Sequence, residues 1–164
     1  MSISSLRPIW PWLTLLLSGA LLAGAHGFQY LGGLQPCALC LDQRNWHWGV
    51  VALSVAALVA IRFLPGLARW VTGLLGLLLL GSAAQAAYHV AVEQHWVIAQ
   101  CDVGRVNFET LDFDAIGDQK LEPPSCDKVA WSLFGVSMAG YNAIISMLGA
   151  LASFAIALWP ARKS

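Results

Sequence analysis

Residues 70–92 read WVTGLLGLLLLGSAAQAAYHVAV, a run of 23 residues without an acidic or basic side chain other than one histidine. A bilayer core of about 30 Å requires about 20 apolar residues in a helix. The run is therefore long enough to cross a membrane, and it decides the fold. The whole chain agrees, because 58% of its 164 residues are hydrophobic and 11% are charged. So few polar groups do not cover a soluble globule of this size.

Three further uncharged runs flank this one. The four predicted spans lie near residues 10–28, 45–61, 70–92 and 138–159. The second is at the short limit of a span, and Arg62 can extend its side chain to the headgroups to compensate. We predict an all-α integral membrane four-helix bundle, a single domain over residues 1–164. Its two cysteine-bearing outer loops lie near 29–44 and 93–137.

The positive charges are distributed unevenly between the two sides of this bundle. Segments 1–8, 62–69 and 160–164 hold five basic residues and no acidic one, whereas the two outer loops hold four basic and all nine acidic residues. By the positive-inside rule the first set is cytoplasmic. We therefore predict that both termini are cytoplasmic and that the cysteine loops face the opposite side, which in a bacterial inner membrane is the periplasm. With a net charge of zero and no basic patch, nucleic acid is excluded as a partner.

The first span allows two interpretations. Arg7, an apolar stretch and then residues 23–25 (Ala-Gly-Ala) resemble a signal peptide with its cleavage site. The alternative is a packed membrane helix, because small residues recur at spacing four in the first and last spans, which suits close helix packing. These residues are Gly19, Ala23 and Gly27 in the first span and Gly149, Ser153 and Ala157 in the last.

The four cysteines form two pairs on the predicted outer side, Cys37 with Cys40 and Cys101 with Cys126. If a helix begins near Cys37, Cys40 lies in its first turn, where the positive end of the helix dipole favours a thiolate. Arg44 follows four residues later on the same helical face. A Cys-x-x-Cys bridge closes a very small loop and is a poor structural staple, so this pair is better suited to thiol exchange.

Other uses of the cysteines stay open from the residues alone. Two static bridges would brace the loops of a non-catalytic scaffold. A zinc site of four thiolates is a further alternative, but the two pairs lack the spacing of common structural zinc sites, and we expect no metal. Covalent haem attachment is disfavoured because Leu41, not histidine, follows Cys40.

The long outer segment, residues 93–137, has two open interpretations. Its apolar residues alternate loosely with polar ones, which suits an interfacial segment lying on the membrane, and an irregular loop fits equally well. A bridge between Cys101 and Cys126 would close a loop of about 26 residues, worth about 3–4 kcal/mol in the chain-entropy model.

Spans two and three are joined by a tight turn at residues 65–66 (Pro-Gly), which makes them antiparallel neighbours. This brings Arg44 to the depth of Tyr88 and His89, with a mixed polar and apolar pocket between them. Ionisable groups beside a thiol at the edge of an apolar pocket are functional-site candidates.

The remaining polar residues of the spans receive structural interpretations. We expect Glu93 and His95 to face solvent at the end of span three, and Tyr141 and Asn142 to form interhelical hydrogen bonds. No functional role is assigned to His26, His47 and His95.

Together these elements resemble the DsbB family of bacterial disulfide bond formation proteins. The resemblance covers nearly the whole chain. The order of the motifs, the side of the membrane on which they lie and the spacing between them all agree. It is carried by Cys37-Ala38-Leu39-Cys40, Gln43-Arg44, Tyr88-His89, Cys101, Cys126, Trp131, Phe134-Gly135 and residues 137–142. One departure is Tyr141, where a tryptophan is expected in the family.

The resemblance implies a membrane thiol:quinone oxidoreductase that reoxidises a periplasmic DsbA-like dithiol oxidase and passes the electrons to ubiquinone or menaquinone. It implies that the partner attacks Cys101 of a Cys101–Cys126 bridge. Electrons then pass through a transient link between Cys37 and Cys126, and Cys40 delivers them to the quinone.

The same resemblance implies the quinone-binding residues. Arg44 holds Cys40 as a thiolate and stabilises negative charge on the quinone, and His89 is a hydrogen-bond donor. The apolar walls of the bundle hold the isoprenoid tail.

A vitamin K epoxide reductase-like protein is the alternative enzyme. It also uses four helices, two cysteine pairs and a quinone. There the loop pair is expected to precede the Cys-x-x-Cys motif, which lies in the last helix. Here the order is reversed.

Overall fold

Four helices make up most of the structure, a computed structural model that describes residues 3–98 and 125–160. They are α1 (Trp10–Tyr30), α2 (Ala38–Phe63), α3 (Ala68–Glu93) and α4 (Met138–Leu158). Each is long and apolar enough to cross a membrane. Short 3-10 helices at Ile3–Leu6 and Pro65–Leu67 precede α1 and join α2 to α3. The predicted all-α membrane four-helix bundle is confirmed.

Helix α3 is the central element of the bundle, because it packs along both α2 and α4. Its side chains Leu75 and Leu79 are fully buried, and they contact Val50 of α2 and Ala150 of α4 in one apolar cluster. Burial of a leucine side chain stabilises a fold by about 1.5–3 kcal/mol relative to exposure in water. In a membrane, close van der Waals packing takes over this role.

Helices α3 and α4 pack tightly at Gly76. A Cβ atom placed on Gly76 would lie 2.9 Å from the Cβ of Ser153 and 3.1 Å from the ring of Phe154. Ser153 is fully buried and Ala157 is nearly so. The small-residue stripe predicted for the last span therefore does face a neighbouring helix.

The prediction that the small-residue stripe of the first span packs against another helix is wrong. Ala23 is exposed, and Cβ atoms placed on Gly19 and Gly27 would meet nothing within 4 Å. The buried positions of α1 include Thr14, Ser18 and Leu22. The Thr14 hydroxyl lies 3.0 Å from that of Ser54 on α2. Hydroxyl groups need partners that lipid cannot supply, so they turn inward and leave the small residues outside.

Arg7 closes the end of the bundle at which α1 begins and α4 ends. Its guanidinium donates hydrogen bonds to the backbone carbonyls of Ile156, at 3.1 Å, and Ala157, at 3.3 Å. The last carbonyls of a helix have no partner within the helix, so the arginine satisfies them. The indole of Trp10 adds a 2.8 Å hydrogen bond to Ser153.

At the opposite end, α2 begins at Ala38 rather than at residue 45. Residues 38–44, predicted as loop, are thus helical. A two-stranded hairpin leads into α4, with strands β1 (Ser132–Leu133) and β2 (Val136–Ser137). Its turn residues Phe134 and Gly135 both have positive φ, 50° and 79°, as a type I′ turn requires. Most of the long outer segment lies outside the described residues.

Candidate active site

The Cys-x-x-Cys motif lies at the N-terminus of α2, as the sequence predicts. Cys37 is the N-cap residue, and its sulfur accepts a hydrogen bond from the backbone N–H of Cys40 at 3.2 Å. This cap replaces the Ser, Thr, Asp or Asn side chain that usually occupies the position. The two sulfur atoms are 2.6 Å apart, so the two free thiols are direct neighbours. The pair is therefore placed to form and break a disulfide bond.

The two thiols of this motif are not equivalent. The hydrogen bond that the Cys37 thiol shares with the Cys40 sulfur, followed by burial, raises the pKa of the Cys37 thiol well above its ordinary value. Cys37 is 7% exposed. It therefore stays protonated at a pH where an ordinary cysteine has begun to ionise.

Cys126 lies close to the Cys-x-x-Cys motif. It is disulfide-bonded and 1% exposed, and it packs in one cluster with Cys37, Leu39 and Val92. Cys101, its partner according to the resemblance, lies outside the described residues. The presence of Cys126 in the same buried cluster as Cys37 is the proximity that exchange between their sulfur atoms requires.

His89 of α3 lies beside this cluster and is 3% exposed. Its Nε2 atom is 3.7 Å from the sulfur of Cys37, and the ring also hydrogen-bonds to the backbone of Cys126. The predicted proximity of His89 to the motif is therefore present in the structure. The ligating atoms of Cys37, Cys40 and His89 lie within 4.8 Å of one another, a combination of thiolate and imidazole that also suits zinc.

Glu93 does not face solvent, contrary to the sequence-based prediction. It lies one turn after His89 on α3 and is 9% exposed. One carboxylate oxygen is 4.0 Å from His89 Nε2, and the other accepts a hydrogen bond from the hydroxyl of Ser137. Ser137 caps α4, so the start of that helix covers Glu93. His95, in contrast, is exposed as expected.

Arg44 is held against α1. Its guanidinium donates one hydrogen bond to the side-chain oxygen of Gln29 and another, 3.0 Å long, to the carbonyl of Ala25. Arg44 lies one turn beyond Cys40 on α2, as predicted. Its charge is thus fixed by α1 rather than free to move along the bundle surface.

A cavity of about 750 Å³ opens beside these groups. The groups in its wall that can carry chemistry are Cys37, Cys40, Arg44, His89 and Glu93. Apolar walls are supplied by Phe28, Leu34, Trp131, Met138 and Ile145. Tyr88, which was predicted to border the pocket, does not line it and is 41% exposed. The cavity therefore has the predicted mixture of polar and apolar lining residues, but Tyr88 is not one of them.

A chain of polar side chains leads from the site into the bundle. Gln43 lies 2.7 Å from His89 and 2.7 Å from Asn142 of α4. Asn142 in turn lies 2.8 Å from His47 of α2. The interhelical hydrogen bonds predicted for Asn142 are therefore confirmed, whereas Tyr141 bonds to the carbonyl of Leu133 in the hairpin instead.

Sequence reasoning missed the roles of Gln43 and His47 in this chain. Both are buried, and they are four residues apart on α2. Two polar residues at this spacing in an apolar helix, opposite an asparagine in another span, form a pattern typical of interhelical bonding.

Comparison with known proteins agrees with this arrangement. The family model for disulfide bond formation protein DsbB matches residues 7–156. The chain is 32% identical over 158 residues to disulfide bond formation protein B of Methylococcus capsulatus, with 90% of each chain covered. It is 31% identical to the protein of the same name from Actinobacillus pleuropneumoniae, covering 77% of this chain and 73% of that one.

A third relative is disulfide bond formation protein B 2 of Pseudomonas putida, 30% identical over 81% of this chain and 80% of that protein. No solved structure gives a significant match. The four membrane-length helices, the paired cysteines and these sequence matches agree with one another. The chain belongs to the DsbB family of disulfide bond formation proteins.

Proposed function

We propose that this protein is a membrane thiol:quinone oxidoreductase that reoxidises a periplasmic DsbA-like dithiol oxidase and passes the electrons to ubiquinone or menaquinone. One observation carries the proposal. Cys126, a member of a disulfide, lies in the same buried cluster as Cys37, and Cys37 lines a cavity together with Arg44 and His89. This neighbourhood supports a transfer of oxidising equivalents between Cys126, the Cys-x-x-Cys motif and the cavity.

The first exchange takes place at the outer disulfide. A thiolate of the partner attacks the sulfur of Cys101, the bond to Cys126 breaks, and Cys126 leaves with the electron pair. The partner's second thiolate attacks the mixed disulfide. The partner leaves oxidised, and Cys101 and Cys126 are both reduced.

The second exchange moves the electrons inward. Cys126 attacks the sulfur of Cys37, the Cys37–Cys40 bond breaks, and Cys40 leaves as a thiolate at the helix N-terminus, where the dipole stabilises it. Cys101 then attacks Cys126, which restores the outer disulfide and releases Cys37. The shared buried cluster of Cys37 and Cys126 supports this order.

The cavity suits a quinone ring and the first part of its tail. Arg44 and His89 offer hydrogen-bond donors, while aromatic and aliphatic side chains line the rest, as is typical of cofactor sites. A quinone, when bound, supplies the acceptor for two electrons and two protons. Cys37 and Cys40 give these up and return to the disulfide, while Arg44 holds positive charge one turn from Cys40.

The orientation in the membrane follows from charge. Arg7, Arg62 and Arg69 lie at the ends of α1, α2 and α3 opposite the cysteine motif. By the positive-inside rule we expect that end to be cytoplasmic and the motif to lie at the periplasmic face of the inner membrane. A soluble dithiol partner then has access to the outer disulfide.

The test is quinone reduction by the purified protein in detergent, driven by a reduced DsbA-like partner. We expect turnover that is lost in Cys40→Ser. Ser153→Ala, a change at the other end of the bundle, is the matched control and should keep turnover. Absence of turnover with both quinones in correctly folded protein would instead support a disulfide-braced scaffold.

A further inference from the structure

The polar chain described above joins all four helices. From His89 of α3 it runs through Gln43 of α2 to Asn142 of α4 and back to His47 of α2. The second ring nitrogen of His47, Nδ1, lies 3.2 Å from the hydroxyl of Ser18 on α1. Among the described residues, no buried side-chain N or O atom lacks a hydrogen-bond partner. Each link in the chain therefore constrains the next.

The direction of the bonds fixes the proton on His89. The Asn142 amide nitrogen donates to the Gln43 side-chain oxygen at 2.7 Å, so the Gln43 amide nitrogen is the atom that faces His89 Nδ1, at 2.7 Å. An amide nitrogen only donates, and Nδ1 must accept. Since a neutral imidazole carries one proton, that proton is on Nε2. Nε2 is the atom that faces the sulfur of Cys37.

His47 and Ser146 in turn fix the orientation of Asn142. The Asn142 side-chain oxygen lies 2.8 Å from His47 Nε2 and accepts a hydrogen bond from the Ser146 hydroxyl at 2.9 Å. The hydroxyl of Ser82 lies 3.2 Å from the same His47 Nε2 atom, and Nε2 is a donor because the Asn142 oxygen only accepts. The Asn142 amide thus presents its nitrogen to Gln43. His47 Nδ1 is left to accept from Ser18. His47, which contacts neither cysteine, thus sets the direction of the hydrogen bonds along the whole chain of polar side chains.

We propose that His47 and Asn142 are positioning residues that hold His89 as the Nε2–H tautomer through Gln43. The single N–H of His89 then points to the Cys37 sulfur, with a carboxylate oxygen of Glu93 4.0 Å from the same nitrogen. This N–H, which is also the ring's only donor for the Cys126 backbone, stabilises the negative charge that develops when Cys37 is released from Cys126. This role of His89 rests on the proposed function. The direction of the hydrogen bonds along the polar side chains rests on geometry alone.

The direct test is nitrogen-15 NMR of the four histidines in detergent-solubilised protein labelled at histidine, with His89→Gln used for assignment. We expect wild-type His89 to be protonated on Nε2 and not on Nδ1. Asn142→Leu, which keeps the side-chain volume and removes the amide, should give a mixture of tautomers. Tyr141→Phe is the matched control, because the Tyr141 hydroxyl bonds to the hairpin and not to the chain.

Gln43→Glu supplies the opposite change. A carboxylate only accepts hydrogen bonds, so His89 Nδ1 must become the donor in this variant. The His89 proton should therefore move to Nδ1. Wild-type His89 protonated on Nδ1, or an unchanged His89 spectrum in folded Asn142→Leu, would overturn the proposal. Neither measurement needs a quinone or a partner, so both outcomes are separate from the failure of the proposed function.

Turnover provides a second readout. His47→Leu should slow quinone reduction by about tenfold or more without changing the KM for the dithiol partner. His47→Gln should recover most of the rate, because its amide can donate to Asn142 in place of Nε2. Equal rates in His47→Leu and wild type would contradict a positioning role, as would a failure of His47→Gln to recover the rate.

Discussion

The guanidinium of Arg44 donates a 3.0 Å hydrogen bond to the backbone carbonyl of Ala25, so the charge beside the Cys-x-x-Cys motif is anchored to a different helix from the one that carries it. Gln29, one turn further along α1, accepts a second bond. The fork geometry of a guanidinium suits two acceptors at once, and a lysine ammonium does not reproduce it. The two hydrogen bonds to α1 therefore fix the position of the Arg44 charge.

Arg44→Ala is expected to slow quinone reduction by about 10²-fold, because it removes a fixed charge from the cavity. Arg44→Lys should recover only part of this loss, since it keeps the charge without the fork. Stopped-flow absorbance of the quinone measures the rate. In both variants the outer disulfide should still trap a single-cysteine mutant of the partner as a mixed disulfide. Wild-type quinone kinetics in Arg44→Ala would remove the role given to this residue.

Thiol alkylation should distinguish Cys37 from Cys40 in the reduced protein. Because the pKa of Cys37 is raised, its thiolate fraction, and hence its alkylation rate, should keep increasing at pH values above about 8.5, where an ordinary cysteine is half ionised. Peptide mass spectrometry after timed iodoacetamide pulses reports each site separately. Cys40→Ala removes the main cause of the raised pKa and should move the Cys37 profile to lower pH. An ordinary profile for Cys37 in the wild type would contradict the expectation.

Two glycines on α3 offer a matched pair for helix packing. Gly76→Ala should destabilise the protein by about 1–3 kcal/mol, because the added methyl group would overlap Ser153 in a tightly packed interface. Gly73→Ala should change the stability little, since its methyl group would meet Ala157 at 3.9 Å, an ordinary contact. Thermal unfolding in detergent gives the comparison. Equal unfolding midpoints for the two variants would show that α3 and α4 do not pack at Gly76.

Zinc binding should depend on the proton of His89. In the wild type the N–H bond of His89 Nε2 faces the two thiols, and this nitrogen has no lone pair free to bind a metal. In Gln43→Glu the lone pair of Nε2 is free to coordinate zinc together with the sulfur atoms of Cys37 and Cys40. A carboxylate behind a metal-binding histidine typically improves affinity by about 10- to 100-fold. Competition with a chromophoric chelator under reducing conditions measures this change. The oxidised proteins serve as controls, and equal affinities of the two reduced proteins would count against the tautomer.

The helices were predictable because a span needs little more than an uninterrupted apolar run. Their ends were less so. Asp42 and Arg44 end the apolar run, yet α2 extends through both of them to Ala38, because a helix continues beyond the hydrocarbon layer when its first turn is capped. The cap is the sulfur of Cys37, an unusual residue for this position.

The site was predictable where its parts are close in sequence and less so where they meet across the bundle. Spacing alone put Arg44 one turn from Cys40. The burial of Glu93 depends on Ser137, a contact across 44 residues that no local pattern reveals. The inward face of α1 was misassigned for a related reason, since the partners of Thr14 and Ser18 lie on α2.

The burial of Cys126 at 1% exposure has a consequence for side reactions. A thiolate must approach the sulfur it attacks along the axis of the disulfide, and a shielded sulfur offers no such path to small thiols in the surrounding fluid. Cys126 instead shares a buried cluster with Cys37. Under the proposed function, this burial reserves the Cys126 sulfur for exchange inside the protein and keeps small thiols from reducing it directly.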